Sequence, residues 1–284
     1  MNGPYRLVVF GLGYTGAAIA ARAVEMGWHV AGTSRDPAGI RAPDGVQVVA
    51  FDRAAGVLAE ATHLVATAPP GEQGDPVLAV HRAAIAAARH LRWAGYLSTT
   101  GVYGDRGGAW VDETTPPAPG SERSTRRVAA EQGWARFADR LAVDVFRVAG
   151  IYGPGRSALE DVRAGTARRV LKPGHLFGRI HRDDIARAVL AAAEQGRPPG
   201  LRVLHLVDDE PAESAAVIEE AARLLGVTPP PAVPYEQAVT AMSPMARSFW
   251  AENRLVANAK TKAALGIAWL YPTYREGLRA ILGL

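Results

Sequence analysis

The chain has 284 residues, 48% hydrophobic and 21% charged, which is enough apolar content to bury a sizeable core and excludes disordered, collagenous and fibrous classes. It has no cysteine, so disulfides, thiolate catalysis, iron–sulfur clusters and cysteine-bound zinc are excluded. The net charge of +4 rests on 32 basic residues, 29 of them arginine, with no run longer than Arg126-Arg127 or Arg168-Arg169, so no nucleic-acid partner is expected.

The opening residues MNGPYRLVVF run into a strand-like segment without the zones of a signal peptide, and no apolar run approaches a membrane span. A cytoplasmic protein with no membrane partner is the expectation. Residues 5–10 are a β-branched apolar run that ends in Gly-Leu-Gly-Tyr-Thr-Gly, followed by AAIAARAVEMG with helical spacing up to Gly27. Short apolar runs at 28–33, 46–50 and 63–67, parted by Gly, Pro and Asp, read as buried parallel strands. The spacing then predicts a helix over 75–93, a strand over 95–99, a helix over 124–138 and a strand over 141–148. This alternation implies βαβ crossovers and a doubly wound parallel α/β sheet.

After Gly155 the rhythm breaks. An arginine-dotted stretch runs to Pro173, a helix is predicted over 183–194, a strand near 203–207 and a helix over 212–225. The proline-rich TPPPAVP at 228–234 reads as a rigid surface connector. The expected division is a dinucleotide-binding domain over 1–155 plus about 179–207, and a small interwoven C-terminal lobe over about 156–178 and 208–284.

Gly11, Gly13 and Gly16 form G-x-G-x-x-G at the first strand–helix junction. Each position needs a missing side chain: Gly11 for the tight turn, Gly13 for close approach of a pyrophosphate, Gly16 for helix packing, with Tyr14 and Thr15 opening the helix whose N-terminus favours an anion. About 20 residues on, where a carboxylate would bind the ribose hydroxyls of NAD, the second strand instead ends Gly32-Thr33-Ser34-Arg35. A hydroxyl and a guanidinium there suit a 2′-phosphate, which selects NADP, with NAD as the alternative and Asp36 acting against the preference. Asp52, after the third strand, is placed to bind the adenine amino group, and Ala68 and Pro69 follow the fourth strand toward the same cofactor.

These residues and three later segments resemble the extended short-chain dehydrogenase/reductase family, the NAD(P)-dependent epimerases and dehydratases of nucleotide sugars, over nearly the whole chain. The segments are STTGVYG at 98–104, RVAGIYGPG at 147–155 and RIHRDDIA at 179–186. The resemblance implies a Rossmann fold, a homodimer through helices flanking the sheet, and a contact from Thr99 to the reacting oxygen. The family's Tyr and Lys, aligned through Glu131, fall on Arg123 and Arg127, so the pattern is that of an atypical member. A guanidinium does not shuttle protons at physiological pH. Arg127 is still expected to hold cofactor ribose hydroxyls as the lysine would. Tyr103, Tyr152, Ser121, Glu122 and His175 are candidate replacement acids, each more readily read as packed or solvated.

Arg147, inside an apolar strand, is expected to pair with a carboxylate or an exposed turn. No metal site is expected from His181, Asp183 and Asp184, since Arg179 and Arg182 interleave them. The functional expectation is an NADP-dependent oxidoreductase acting on a carbonyl, alcohol or nucleotide-sugar-like small molecule; the alternative is a catalytically degenerate NADP-binding sensor or scaffold.

Overall fold

The computed structural model describes residues 5–284. The reading of the chain's opening falls partly on residues 1–4, which lie outside the described residues. The elements, in chain order, are β1 (Arg6–Phe10), α1 (Tyr14–Glu25), β2 (His29–Ser34), β3 (Val46–Ala50), α2 (Ala55–Glu60), β4 (His63–Ala66), α3 (Pro76–Ala87), β5 (Trp93–Thr99), β6 (Trp110–Val111), α4 (Glu122–Ala135) and β7 (Ala142–Val148). They continue as β8 (Gly150–Tyr152), α5 (Ala158–Arg163), β9 (Arg169–Leu171), β10 (Arg179–His181), α6 (Arg182–Glu194), β11 (Gly200–Leu206), α7 (Ser214–Leu225), β12 (Ala232–Pro234), α8 (Tyr235–Ala238), α9 (Pro244–Trp250), β13 (Leu255–Val256), α10 (Ala259–Leu265) and α11 (Tyr274–Ile281).

Two compact units result. Among the described residues, the first comprises 5–99, 122–147 and 185–204, the second 100–121, 148–184 and 205–284. The first is organised by a seven-stranded sheet in the order β3-β2-β1-β4-β5-β7-β11. β1 pairs in parallel with β2 and β4, β2 with β3, and β4 with β5, which is the doubly wound α/β arrangement the alternation predicts. Four of the five β1 residues are buried and β4 is buried throughout, as strands covered on both faces must be. Phe10, Leu64, Tyr96, Trp134 and Val143 centre the core. The second unit carries the short parallel pairs β10–β8, β12–β9 and β13–β6, with a separate core around Tyr152, Leu159, Val217, Ala221, Tyr274 and Leu278.

The helix expected over 75–93 is shorter. Asp75 caps α3 by accepting from the Leu78 N–H, Pro76 opens it, and it stops at Ala87. Trp93 belongs to β5 because its indole N–H donates to Asp144 Oδ2 at 2.8 Å and Arg92 N–H reaches the Thr62 carbonyl, contacts across 30 to 51 residues that outweigh alanine-rich helix propensity. The proline-rich connector likewise contains β12, which pairs Ala232 with Arg169 and Val233 with Val170; Pro234 sits at its end, where a missing donor costs least.

His63, 5% exposed, packs between the rings of Tyr5, Trp28 and Trp93, with Nε2 3.2 Å from the Ala193 carbonyl. Burial pushes its pKa down to about 4. A histidine whose folded pKa lies below its unfolded one binds more protons when unfolded, so stability falls as pH drops below the unfolded value near 6.5. Between pH 7 and pH 5 this group removes about 2 kcal/mol, and denaturant midpoints at the two pH values in the parent and in His63→Gln are expected to show that share missing from the variant.

Candidate functional site

The sequence-selected residues of the first unit gather along the carboxyl edge of the sheet, because parallel register puts the ends of β1, β2, β3, β4 and β5 side by side: Phe10 beside Thr33 and Ala66, Ser34 beside Ala50, Ala66 beside Tyr96. Gly11 turns the chain out of β1 at φ +100°, a conformation that L side chains rarely adopt. Its N–H donates to Thr33 Oγ1 at 3.2 Å, and Thr67 Oγ1 donates back to its carbonyl at 2.8 Å. Thr33 and Thr67 therefore hold the turn, a role the glycine pattern does not reveal because each is distant in sequence.

Gly13 is the N-cap of α1; no side chain caps this helix and its first turn holds no acid. Gly13, without a side chain, cannot cap the opening amides of α1, and the first turn carries no acid of its own against the positive end of the helix dipole. A Cβ at Gly13 would meet nothing within 4 Å, whereas one at Gly16 would lie 1.9 Å from the Gly11 carbonyl oxygen. The cradle is thus closed behind the turn and open in front of it.

Beyond β2, Ser34 Oγ donates to the Asp36 carbonyl at 3.0 Å and accepts the Asp36 N–H at 3.1 Å, while Asp36 Oδ1 takes the Gly39 N–H at 3.0 Å. The turn is closed on itself, with both Ser34 and Asp36 engaged in it. Arg35 stands exposed between them. Asp52 is exposed on the 3₁₀ turn after β3, Ala68 packs partly against the core, and Pro69 is exposed.

At the end of β5, Thr99 is half-buried. On α4, Arg127 Nη1 donates to the Leu97 carbonyl at 2.7 Å and to the Tyr96 hydroxyl at 3.1 Å, fixing that guanidinium against the strand. Burial pushes the Tyr96 phenol up to about 12, with Arg127 opposing the shift. Beneath them Glu131 receives Arg147 Nη2 at 2.7 Å, Arg147 Nε at 3.2 Å and Ser98 Oγ at 2.5 Å. Arg147 thus has the carboxylate partner its strand position demands.

Of the candidate acids, Tyr103, Tyr152 and His175 are packed among side chains and Glu122 is exposed. Tyr103, fully buried, lies 2.5 Å from His205 Nε2 and 3.1 Å from the Asp112 carbonyl. Tyr152 donates to the Thr273 carbonyl, and burial drives its phenol far above the ordinary range. His175 is stacked on Trp250 and lowered by burial and by Lys172. Glu122 is exposed and paired with Arg126; Ser121 is half-buried. Among the described residues no group of three or more His, Asp or Glu side chains is disposed to hold a metal ion.

A doubly wound sheet with a glycine turn and an uncapped helix at its carboxyl edge defines the class of Rossmann-type α/β proteins. No family model matches the chain. It is 44% identical to a solved conserved protein of unknown function from Silicibacter pomeroyi, covering 98% of each chain at a TM-score of 0.88. It is 25% identical to a putative NAD-dependent epimerase/dehydratase from Methylobacillus flagellatus, over 98% of each chain at a TM-score of 0.74. A 3-diazoavenalumate denitrifying reductase from a Streptomyces species is 32% identical over 186 residues, a match that spans 59% of this chain and only 58% of that relative. Solved structures that share its fold include NAD-dependent epimerase/dehydratase-like proteins.

Proposed function

We propose that the protein is an NADP-dependent oxidoreductase that interconverts a carbonyl and an alcohol on a small molecule. The observation that carries this reading is the glycine turn: an open Gly13, an uncapped α1 and a tightly bonded Gly11 make a cradle shaped for a pyrophosphate. The exposed Arg35, at the end of β2 and flanked by residues already engaged in the turn, supports recognition of a 2′-phosphate by charge-assisted hydrogen bonds. Asp52, Ala68 and Pro69 line the adenine and ribose side of the same edge. The reductase relative favours the reductive direction.

When bound, the nicotinamide supplies or accepts the hydride. Thr99 then donates its hydroxyl hydrogen bond to the substrate oxygen as negative charge develops there. Arg127, anchored on Leu97 and Tyr96 through Nη1, keeps further N–H groups for the ribose hydroxyls and exchanges no proton, so the proton that completes the alcohol comes from water.

Paired calorimetric titrations with NADPH and NADH test the reading. Tighter binding of NADPH is expected, and Arg35→Ala is expected to weaken NADPH at least tenfold while leaving NADH within twofold; equal losses overturn the phosphate assignment. With cofactor bound, Thr99→Val is expected to lower turnover of a carbonyl substrate at least tenfold. Tight NADPH binding without turnover of any carbonyl would assign the chain to the sensor class instead.

A further inference from the structure

The second unit contains a pocket of about 430 Å³ bordered by α5, α7, α11 and the β8–β10 pair, a size typical of small-molecule sites. Its lining includes the apolar Val217, Ile218 and Leu278 and two arginines, Arg156 and Arg179. Arg179 Nη1 donates to the Phe177 carbonyl at 2.9 Å and to the Ala212 carbonyl at 3.0 Å, so the fork is fixed in place by backbone. Nε and Nη2 take no protein acceptor, and neither is sealed off from the cavity that the side chain lines.

The carboxyl group that acts electrostatically on this guanidinium is that of Asp208. No carboxylate among the described residues forms an ion pair with it. The nearby acid, Asp208, is 2% exposed, and burial pushes its carboxyl up to about 8 against the opposing pull of the Arg179 charge. The two acids in the cavity lining both sit on α5: Glu160 is bound by the Ser157 hydroxyl at 2.5 Å, and Asp161 is exposed. A largely desolvated guanidinium whose Nε and Nη2 lack acceptors is costly, and these open donors have the planar geometry that matches an oxyanion. Tyr274, 1% exposed, contributes its ring to the same lining, while its hydroxyl is sealed from solvent.

We infer that this cavity binds a small molecule carrying a carboxylate or phosphate on an apolar body, the oxyanion on Arg179 and the body against Val217, Ile218 and Leu278. The site is independent of the dinucleotide reading: all its lining residues lie in the second unit and none belongs to the glycine turn.

The test is saturation-transfer NMR and calorimetry on the full chain with hexanoate, hexyl phosphate, inorganic phosphate and hexanol as probes, without cofactor. Hexanoate or hexyl phosphate is expected to bind at least tenfold more tightly than hexanol and inorganic phosphate, since either alone lacks one half of the recognition. The tighter of the two amphiphiles identifies the head group. Arg179→Gln is expected to weaken that probe at least tenfold, and Ser214→Trp, which fills the cavity while leaving the guanidinium in place, to do the same. Should Arg179→Gln not fold, Ser214→Trp carries the test alone. No binding of either amphiphile, hexanol binding as tightly as hexanoate, or full affinity in Ser214→Trp would overturn the assignment.

Discussion

Gly13→Val is expected to leave the denaturant midpoint within about 0.5 kcal/mol of the parent while lowering affinity for NADPH at least a hundredfold, read by calorimetry beside chemical unfolding. The two effects separate because of where Gly13 sits. Its backbone is extended, at φ −75° and ψ −167°, which a β-branched residue adopts readily, and a Cβ there meets no protein atom within 4 Å. The added side chain therefore projects only into the space in front of the helix terminus, where a pyrophosphate must approach backbone amides. Gly16→Ala is the contrasting control. Its Cβ would stand 1.9 Å from the Gly11 carbonyl oxygen, a distance no relaxation of side chains relieves, so the turn itself must open at a cost of about 3 kcal/mol. Equal stability and unchanged NADPH affinity in Gly13→Val would remove the cradle from the functional reading.

Arg147→Met is expected to be among the most destabilising single substitutions in the first unit, at about 3–5 kcal/mol, because it strands the Glu131 carboxylate in the interior with only Ser98 as partner. Both members of the pair are under 10% exposed, and the guanidinium binds through two nitrogens, so little solvent is available to take over. The paired replacement Glu131→Leu with Arg147→Met removes the stranded charge and is expected to recover more than half of the loss. Guanidinium unfolding of the two single variants and the double variant measures the coupling. Strictly additive losses would show that the pair does not act as a unit. The position matters for function as well as stability, since Ser98 precedes Thr99 on β5 and Glu131 lies on the same helix as Arg127.

Much of the first unit was legible in the sequence, because its signals are local. The β-branched run before Gly11, the glycine spacing and the helical periodicity after it are properties of neighbouring residues, and parallel register then carries the strand ends to one edge without further information. The demand of Arg147 for a carboxylate or an exposed turn was likewise readable from one charged residue in an apolar strand, although its partner was not.

What only the tertiary structure decided involves partners far apart in the chain. Thr33 and Thr67 hold a turn 22 and 56 residues away, and Trp93 leaves a helix-prone stretch to reach Asp144, 51 residues on. In the second unit, Arg179 is just one arginine among 29 until folding fixes Nη1 on Ala212 and surrounds the rest of the fork with α5, α7 and α11. Periodicity records which face of an element is apolar; whether a buried charge finds a counter-ion depends on which elements pack around it. The sequence by itself therefore determined the doubly wound sheet and the glycine turn at its edge, while the ion pair of Arg147 with Glu131 and the two open donors of Arg179 were decided only by packing, where desolvation is balanced or left unbalanced.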